Sequence, residues 1–275
     1  MIGMVQTTGV KAAGCADGQC GAWSYARYYY LSLPSNYDSK NAYPLVIEGP
    51  GCGGQGNDLI GIPALSGAAI RVGLSPSADA QAYHPTSPGL GCFDDLEGDD
   101  SVDWAFYEVL YDKLAADFCF DRNRVFAAGN GSGARMANEL GCKYAGDALR
   151  PIRGVMTHGS GLPTDVKYQP TCTAKPMAGM WVDEVNNSNF VFAETTLAIT
   201  RAMRVNGCTI GTSYETAEFE PFSITSSDQT SCKLVKGCPT LFPLVVCPLQ
   251  VVMNTTPDLG VVVPGWPAFL KLFEP

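Results

Sequence analysis

At 275 residues, 46% of them hydrophobic and 16% charged, the chain suits one large domain that buries about 75% of the surface its unfolded form exposes. That composition argues against a disordered acidic tail and against a coiled coil. Eighteen Lys plus Arg against 27 Asp plus Glu leave a net charge of −9 with no basic run, so neither nucleic acid nor an anionic membrane surface is an expected partner.

Residues 1–25 read as an amino-terminal extension carrying a local Cys15–Cys20 pair, ahead of a single domain over 26–275. The first residues hold no apolar stretch long enough for a signal peptide, and the numbering is expected to start on a mature form. No segment reaches about 18 uninterrupted apolar residues, so no membrane span is expected. From Ala26 to Leu33 an aromatic run stopped by Pro34 predicts a strand, and Leu45-Val46-Ile47 predicts a short buried one. It runs into Glu48–Gly56, where five of nine residues are glycine and a loop with free backbone amides must follow.

Residues 72–100 are rich in Gly, Pro, Ser and Asp and read as a long surface excursion around His84 and Cys92. Within it Asp94, Asp95, Glu97, Asp99 and Asp100 supply hard oxygen donors, but not at EF-hand spacing, and read as a solvated acidic loop. Ser101 is placed to cap a helix whose apolar stripe is Val102, Phe106, Val109, Leu110, Leu114 and Phe118. A short apolar strand, Arg124 to Ala128, then meets Gly129-Asn130-Gly131-Ser132-Gly133 and the helical pattern Ala134, Ala137, Leu140, ended by Gly141. Later strands are predicted at Ile152–Thr157, Pro176–Val182 and Pro243–Cys247, with helices over about Phe190–Asn206 and Trp266–Phe273. Alternating strands and helices point to an α/β fold, a mostly parallel central sheet with helices on both faces.

The eleven cysteines are dispersed rather than paired as C-x-x-C knuckles, which disfavours a zinc ribbon and points to a disulfide-stapled, exported protein with one thiol left over. Local pairs are expected at Cys15–Cys20 and Cys238–Cys247, and Cys52–Cys92 would tie the glycine loop to the excursion; connectivity is not deducible from spacing. Sequons stand at Asn130, Asn186 and Asn254. No metal site and no cofactor is expected.

Ligands of open parallel sheets bind beyond the strands' carboxyl ends, so the two glycine-rich turns, 49–56 and 129–133, are the places to look. Pro44-Leu45-Val46-Ile47, Gly51-Cys52-Gly53-Gly54, Asp121, Arg124-Val125-Phe126, Gly129, Gly133, Met136-Ala137 and Gly161-Leu162-Pro163 together resemble the secreted polyhydroxybutyrate depolymerase and feruloyl esterase branch of the α/β-hydrolases. The resemblance runs from about Arg27 to the carboxyl terminus. It implies an α/β-hydrolase fold in which the strand-to-helix turn is a nucleophile elbow, G-x-S-x-G. Its outer glycines fall on Gly129 and Gly133, which puts Gly131, without a side chain, at the nucleophile position. Ser132, one residue on, would lose the steric reason for the motif and reads equally as a helix-start serine.

The resemblance also orders a triad as Ser, then Asp or Glu, then His, yet the two histidines are His84 and His158 and the chain has none after residue 158. Asn254 stands where that His is expected. The acid position falls at Asp183 or nearer Asn187. Without imidazole a serine hydroxyl lacks a base of suitable pKa. The amides of Gly51, Cys52 and Ser132 remain candidate oxyanion donors; the competing reading is a loop kept glycine-rich for close packing. Trp104, Trp181 and Trp266 read as packing residues, with Trp181 beside the acid loop also a candidate to line a groove, and both histidines read more readily as structural than catalytic.

The sequence therefore predicts an exported α/β-hydrolase domain with a degenerate triad, acting as a binding, structural or self-assembling module for an ester, carboxylate or polymer ligand. The rival expectation is a carboxylic ester hydrolase using Ser132 or Ser160 with His158.

Overall fold

The structure, a computed structural model, describes residues 1–11, 21–60, 69–76, 91–93, 102–165, 169–184, 191–224, 232–249 and 259–274. Its strands are β1 (Ile2–Lys11), β2 (Gly21–Ser32), β3 (Tyr43–Gly49), β4 (Ile70–Leu74), β5 (Phe120–Asn130), β6 (Gly154–His158), β7 (Ala178–Glu184), β8 (Phe219–Pro221), β9 (Lys233–Val235) and β10 (Leu244–Leu249). The helices are α1 (Asn57–Ile60), α2 (Val102–Asp117), α3 (Ser132–Tyr144), α4 (Val191–Asn206) and α5 (Leu259–Lys271). The strands form one sheet in the order β1-β2-β4-β3-β5-β6-β7-β10-β9-β8. From β4 to β10 the neighbours are parallel, and the two outer pairs at each edge are antiparallel.

Two expectations change here. The segment taken as an extension supplies β1, which pairs with β2 from Ile2↔Tyr30 onward and so belongs to the sheet. The excursion begins later than its composition suggests, because Ile70–Leu74 is wholly buried and fills the place between β2 and β3. β4 alternates strictly, with Ile70, Val72 and Leu74 entering one core, whereas β1, rich in Gly and Thr, rests on its cross-strand pairing with β2.

Parallel strands covered on both faces must be apolar on both, and the alternation shows which side chain goes where. Leu45, Ile47, Val125, Ala127, Val155, Trp181 and Val246 join the core under α2, α3 and α4. Val46, Phe126, Ala128, Met156, Met180, Val182, Val245 and Cys247 join the one under α5 with Trp266 and Phe269. Each large side chain fully buried this way contributes about 1.5–3 kcal/mol. Trp104, on α2, packs its ring 6.1 Å from that of Tyr144.

Four disulfides staple the described residues: Cys52–Cys92, Cys142–Cys172, Cys208–Cys238 and Cys232–Cys247. Cys52–Cys92 is as read from the sequence, but Cys238–Cys247 is not formed. Cys232 precedes β9, whose antiparallel pairing with β10 carries it to Cys247, and Cys238 goes instead to Cys208 at the end of α4. Cys119 is free; Cys15 and Cys20 lie outside the described residues.

Candidate active site

The sheet register assembles the site. Gly49, Gly129, Thr157, Trp181 and Val246 stand in one row across β3, β5, β6, β7 and β10, and the next row reads Asn130, His158, Val182, Cys247. The residues that follow each strand therefore emerge along one edge, at the carboxyl ends.

At the centre of that edge β5 stops at Asn130 and α3 starts at Ser132, leaving Gly131 alone to reverse the chain, with φ 54° and ψ −123°. Such a backbone is costly for any residue with a Cβ. Gly131 donates its amide to the His158 carbonyl at 3.0 Å and accepts from the Arg135 amide at 3.1 Å. Its outer neighbours are glycine for a different reason. A Cβ on Gly129 would lie 2.4 Å from the Gly133 backbone, and one on Gly133 only 1.9 Å from the Gly49 carbonyl oxygen. A Cβ on Gly131 would meet nothing nearer than the Gly51 Cα at 3.4 Å. The turn thus has the geometry that presents a side chain outward, and a hydrogen where that side chain would stand.

Beside it lies the glycine loop that leaves β3, pinned by Cys52–Cys92, by Gly53 donating to the Gly91 carbonyl at 2.8 Å and by Gly133 donating to the Pro50 carbonyl at 3.1 Å. The expected trio of free amides is not intact. The Gly51 amide donates to Asn130 Oδ1 at 3.0 Å, so one of three donors is already engaged by a side chain of the elbow itself. Among the described residues the amides of Cys52 and Ser132 carry no such bond, and the second is the first amide of a helix, where the dipole favours an anion.

Ser132 and His158 form no hydrogen bond with each other: the buried Ser132 hydroxyl and the His158 Nε2 have no hydrogen-bond partner among the described residues. Burial pushes the His158 imidazole down to about 4, which keeps it neutral at pH 7. Ser160, the other fallback nucleophile, donates to Glu194 Oε2 at 2.8 Å. That carboxylate also holds Arg135 on the first turn of α3, and the Glu194 carbonyl accepts the Leu162 amide at 3.2 Å. Glu194 is thus the clamp between the elbow helix, the loop after β6 and α4.

Asp183 is the last residue but one of β7, one step beyond the row of His158, where its Oδ2 accepts the Thr195 hydroxyl at 2.5 Å. Trp181 does not line a groove: it is fully buried in the sheet and its indole N–H donates to Asn138 Oδ1 at 2.9 Å. Its place on β7 gives it the parity of the α2–α4 core, which an isolated strand prediction does not reveal. Asn187, Asn254, His84 and the acidic cluster from Asp94 to Asp100 lie outside the described residues. No group of three His, Cys, Asp or Glu able to hold a metal occurs among the described residues. Sequence reading missed the engagement of Asn130 and the Glu194 clamp; a polar residue at −1 of the elbow was the available signal for the first, and none marked the second.

The Bacillus cereus carboxylesterase superposes with a TM-score of 0.56 over 90% of this chain and 95% of its own, at 14% identity. Esterase 2 of Thermogutta terrifontis gives 0.54 over 96% and 94%, at 9% identity. This chain has the α/β-hydrolase fold. No family model matches it. In sequence this chain is similar to Probable feruloyl esterase C of Aspergillus terreus, 31% identical over 121 residues and 43% of the chain, and to that of Aspergillus niger, 25% identical over 187 residues and 66% of the chain. It spans 42% and 63% of the length of those two relatives.

Proposed function

We propose that this protein is an exported α/β-hydrolase-fold module that holds an ester or carboxylate at the elbow without forming an acyl-enzyme, serving as a binding or self-assembling component. One observation carries the reading: the turn whose φ and ψ suit a presented nucleophile bears glycine at its tip, Gly131. Supporting it, the hydroxyl of Ser160 is tied to Glu194 and the His158 imidazole is poorly basic. The Ser132 amide and the Cys52 amide are the donors left for a ligand oxygen. Four disulfides favour an oxidising compartment.

A second reading is a carboxylic ester hydrolase of the feruloyl or acetyl esterase or polyhydroxybutyrate depolymerase type, using Ser132 or Ser160 with His158. The names of the two Aspergillus relatives favour it. The deciding assay uses p-nitrophenyl acetate and methyl ferulate together with an active-site phosphonate. Binding of ferulate without turnover or phosphonylation supports the module; stoichiometric labelling with turnover above buffer establishes the hydrolase.

A further inference from the structure

At the opposite end of the sheet, the amino ends of β5, β6, β7 and β10 leave a groove of about 190 Å³ lined by Arg122, Asn123, Gly146, Pro151, Ile152, Arg153, Lys175, Pro176 and Phe242. β5 is irregular between Phe120 and Val125, and its regular run from Val125 to Asn130 alone spans about 16 Å, so this groove has no part in the elbow site. Its walls are apolar: Pro151, Ile152, Pro176 and the ring of Phe242. Its charges are all of one sign, Arg122, Arg153 and Lys175, with no lining carboxylate in a chain whose net charge is −9.

The three cations are differently placed. Arg153 is half-buried and held: its guanidinium lies over the Phe242 ring at 4.4 Å, and Nη2 donates to the Leu241 carbonyl at 2.5 Å. Burial lowers its pKa, the cost of a guanidinium that no carboxylate compensates. Arg122 and Lys175 are exposed and form no ion pair among the described residues. Asp112, whose field reaches Arg122, is already bound by Arg150 at 2.8 Å. Gly146 keeps the floor open, because with φ 63° and a Cβ only 3.0 Å from the Lys175 side chain any larger residue would push that lysine away.

We propose that this groove is a binding site for a small aromatic carboxylate, one ring seated against Phe242, Pro151 and Pro176 and its carboxylate facing Arg122, Arg153 and Lys175. The size fits, since a cavity of roughly 150 Å³ takes one benzene. Guanidinium groups match a carboxylate's two oxygens, and Arg153 is fixed in place before the ligand arrives. Inorganic anions satisfy the charges and leave the apolar walls wet; neutral aromatics do the reverse.

The probe is benzoate, titrated into the isotope-labelled full chain and followed by amide chemical shifts, with benzyl alcohol and inorganic phosphate in parallel at constant ionic strength. The expected result is saturable shifts at Gly146, Ile152, Arg153 and Phe242 with a dissociation constant on the order of 1 mM, as befits a ligand of so few atoms. Benzyl alcohol and phosphate should each bind at least fivefold more weakly. Arg122→Gln with Lys175→Gln, both on exposed side chains that fold does not depend on, should weaken benzoate about fivefold. Shifts at the Gly51 and Ser132 amides report the elbow separately, so a ligand there leaves this outcome unaffected. Equal binding of phosphate, an unchanged double variant, or shifts confined to the elbow would each overturn the proposal.

Discussion

Asn130 and Gly51 close on each other across the elbow: the carboxamide oxygen of the last β5 residue accepts the Gly51 amide at 3.0 Å. The residue next to the bare elbow position thereby occupies a donor that an oxyanion would otherwise take. A ligand oxygen at this edge competes with the protein's own side chain.

It follows that Asn130→Ala has two opposed effects. Losing one hydrogen bond at a part-buried amide should cost about 1 kcal/mol of stability. The freed amide should at the same time strengthen the hold on small carboxylates at the elbow by about five- to tenfold. Thermal melts with and without acetate or ferulate read both, and an unchanged ligand-induced increment would show that the Gly51 amide takes no part in binding.

The three glycines of the elbow separate strain from collision. Gly131→Ala and Gly131→Ser place a Cβ in ordinary contact with the Gly51 Cα at 3.4 Å and should cost only the strain of a positive φ, about 1–3 kcal/mol. Gly129→Ala and Gly133→Ala drive a Cβ to 2.4 and 1.9 Å from backbone, which rotamer changes cannot relieve, and should cost more than about 4 kcal/mol or abolish folding. Denaturant midpoints across the four variants test the order. In an esterase assay Gly131→Ser alone should stay at background; turnover would reveal a working base and favour the hydrolase reading.

Much of this was legible in the residues, and the reasons differ by element. Gly129, Gly131 and Gly133 announce the turn because backbone sterics act over five consecutive positions. The Cys52–Cys92 link is one of several pairings that spacing could not decide; what brings it about is the Gly53 amide on the Gly91 carbonyl, a contact between residues distant in sequence. Cys232–Cys247 was not legible, since it depends on β9 pairing with β10, a contact between strands of three and six residues with little periodicity. For Trp181 packing was legible but its groove alternative was not settled, for the same reason: which face of β7 it occupies follows from the register with β6 and β10, and register is a property of the assembled sheet. The roles of Asn130 and Glu194 rest on contacts across 79 and 59 residues of chain, for which no local pattern exists.

His158 should give the fold a measurable sensitivity to acid. Its folded pKa, about 4, lies below the 6.5 of an unfolded chain. Between those values the unfolded state binds the extra proton. The stability associated with the neutral imidazole is therefore complete above about pH 6.5 and falls as the pH drops toward 4, by up to about 3 kcal/mol. Carboxylates titrate in the same window, so the measurement is a difference: urea midpoints at pH 7.5 and 4.5 for the parent and for His158→Gln. The variant should lose less stability across that interval; equal losses would mean that the imidazole is not neutralised by burial.

The glycine loop depends on its disulfide. Cys52–Cys92 closes 40 residues, a loop whose entropy in the unfolded chain corresponds to about 4 kcal/mol. Replacing both cysteines by alanine should lower stability by that order. It should also weaken any elbow ligand, because Cys52 carries one of the two donors still open. Loss of stability with unchanged ferulate affinity would separate the loop from the binding site.

Glu194 joins three pieces of the site, taking Arg135 on one oxygen and the Ser160 hydroxyl on the other. Glu194→Gln keeps the shape and can still accept from Ser160, but it removes the charge facing a largely buried guanidinium. Breaking one half of such a part-buried pair costs about 1–3 kcal/mol, since the guanidinium stays partly desolvated. Arg135 belongs to the first turn of α3, so the loosened contact should reach the Ser132 amide and weaken ligand binding at the elbow as well as the fold. Pairing Glu194→Gln with Arg135→Met, which removes both charges, should recover at least half of the lost stability. If the double variant is no more stable than Glu194→Gln alone, the clamp acts through Ser160 and not through the ion pair, and the elbow helix is held by packing.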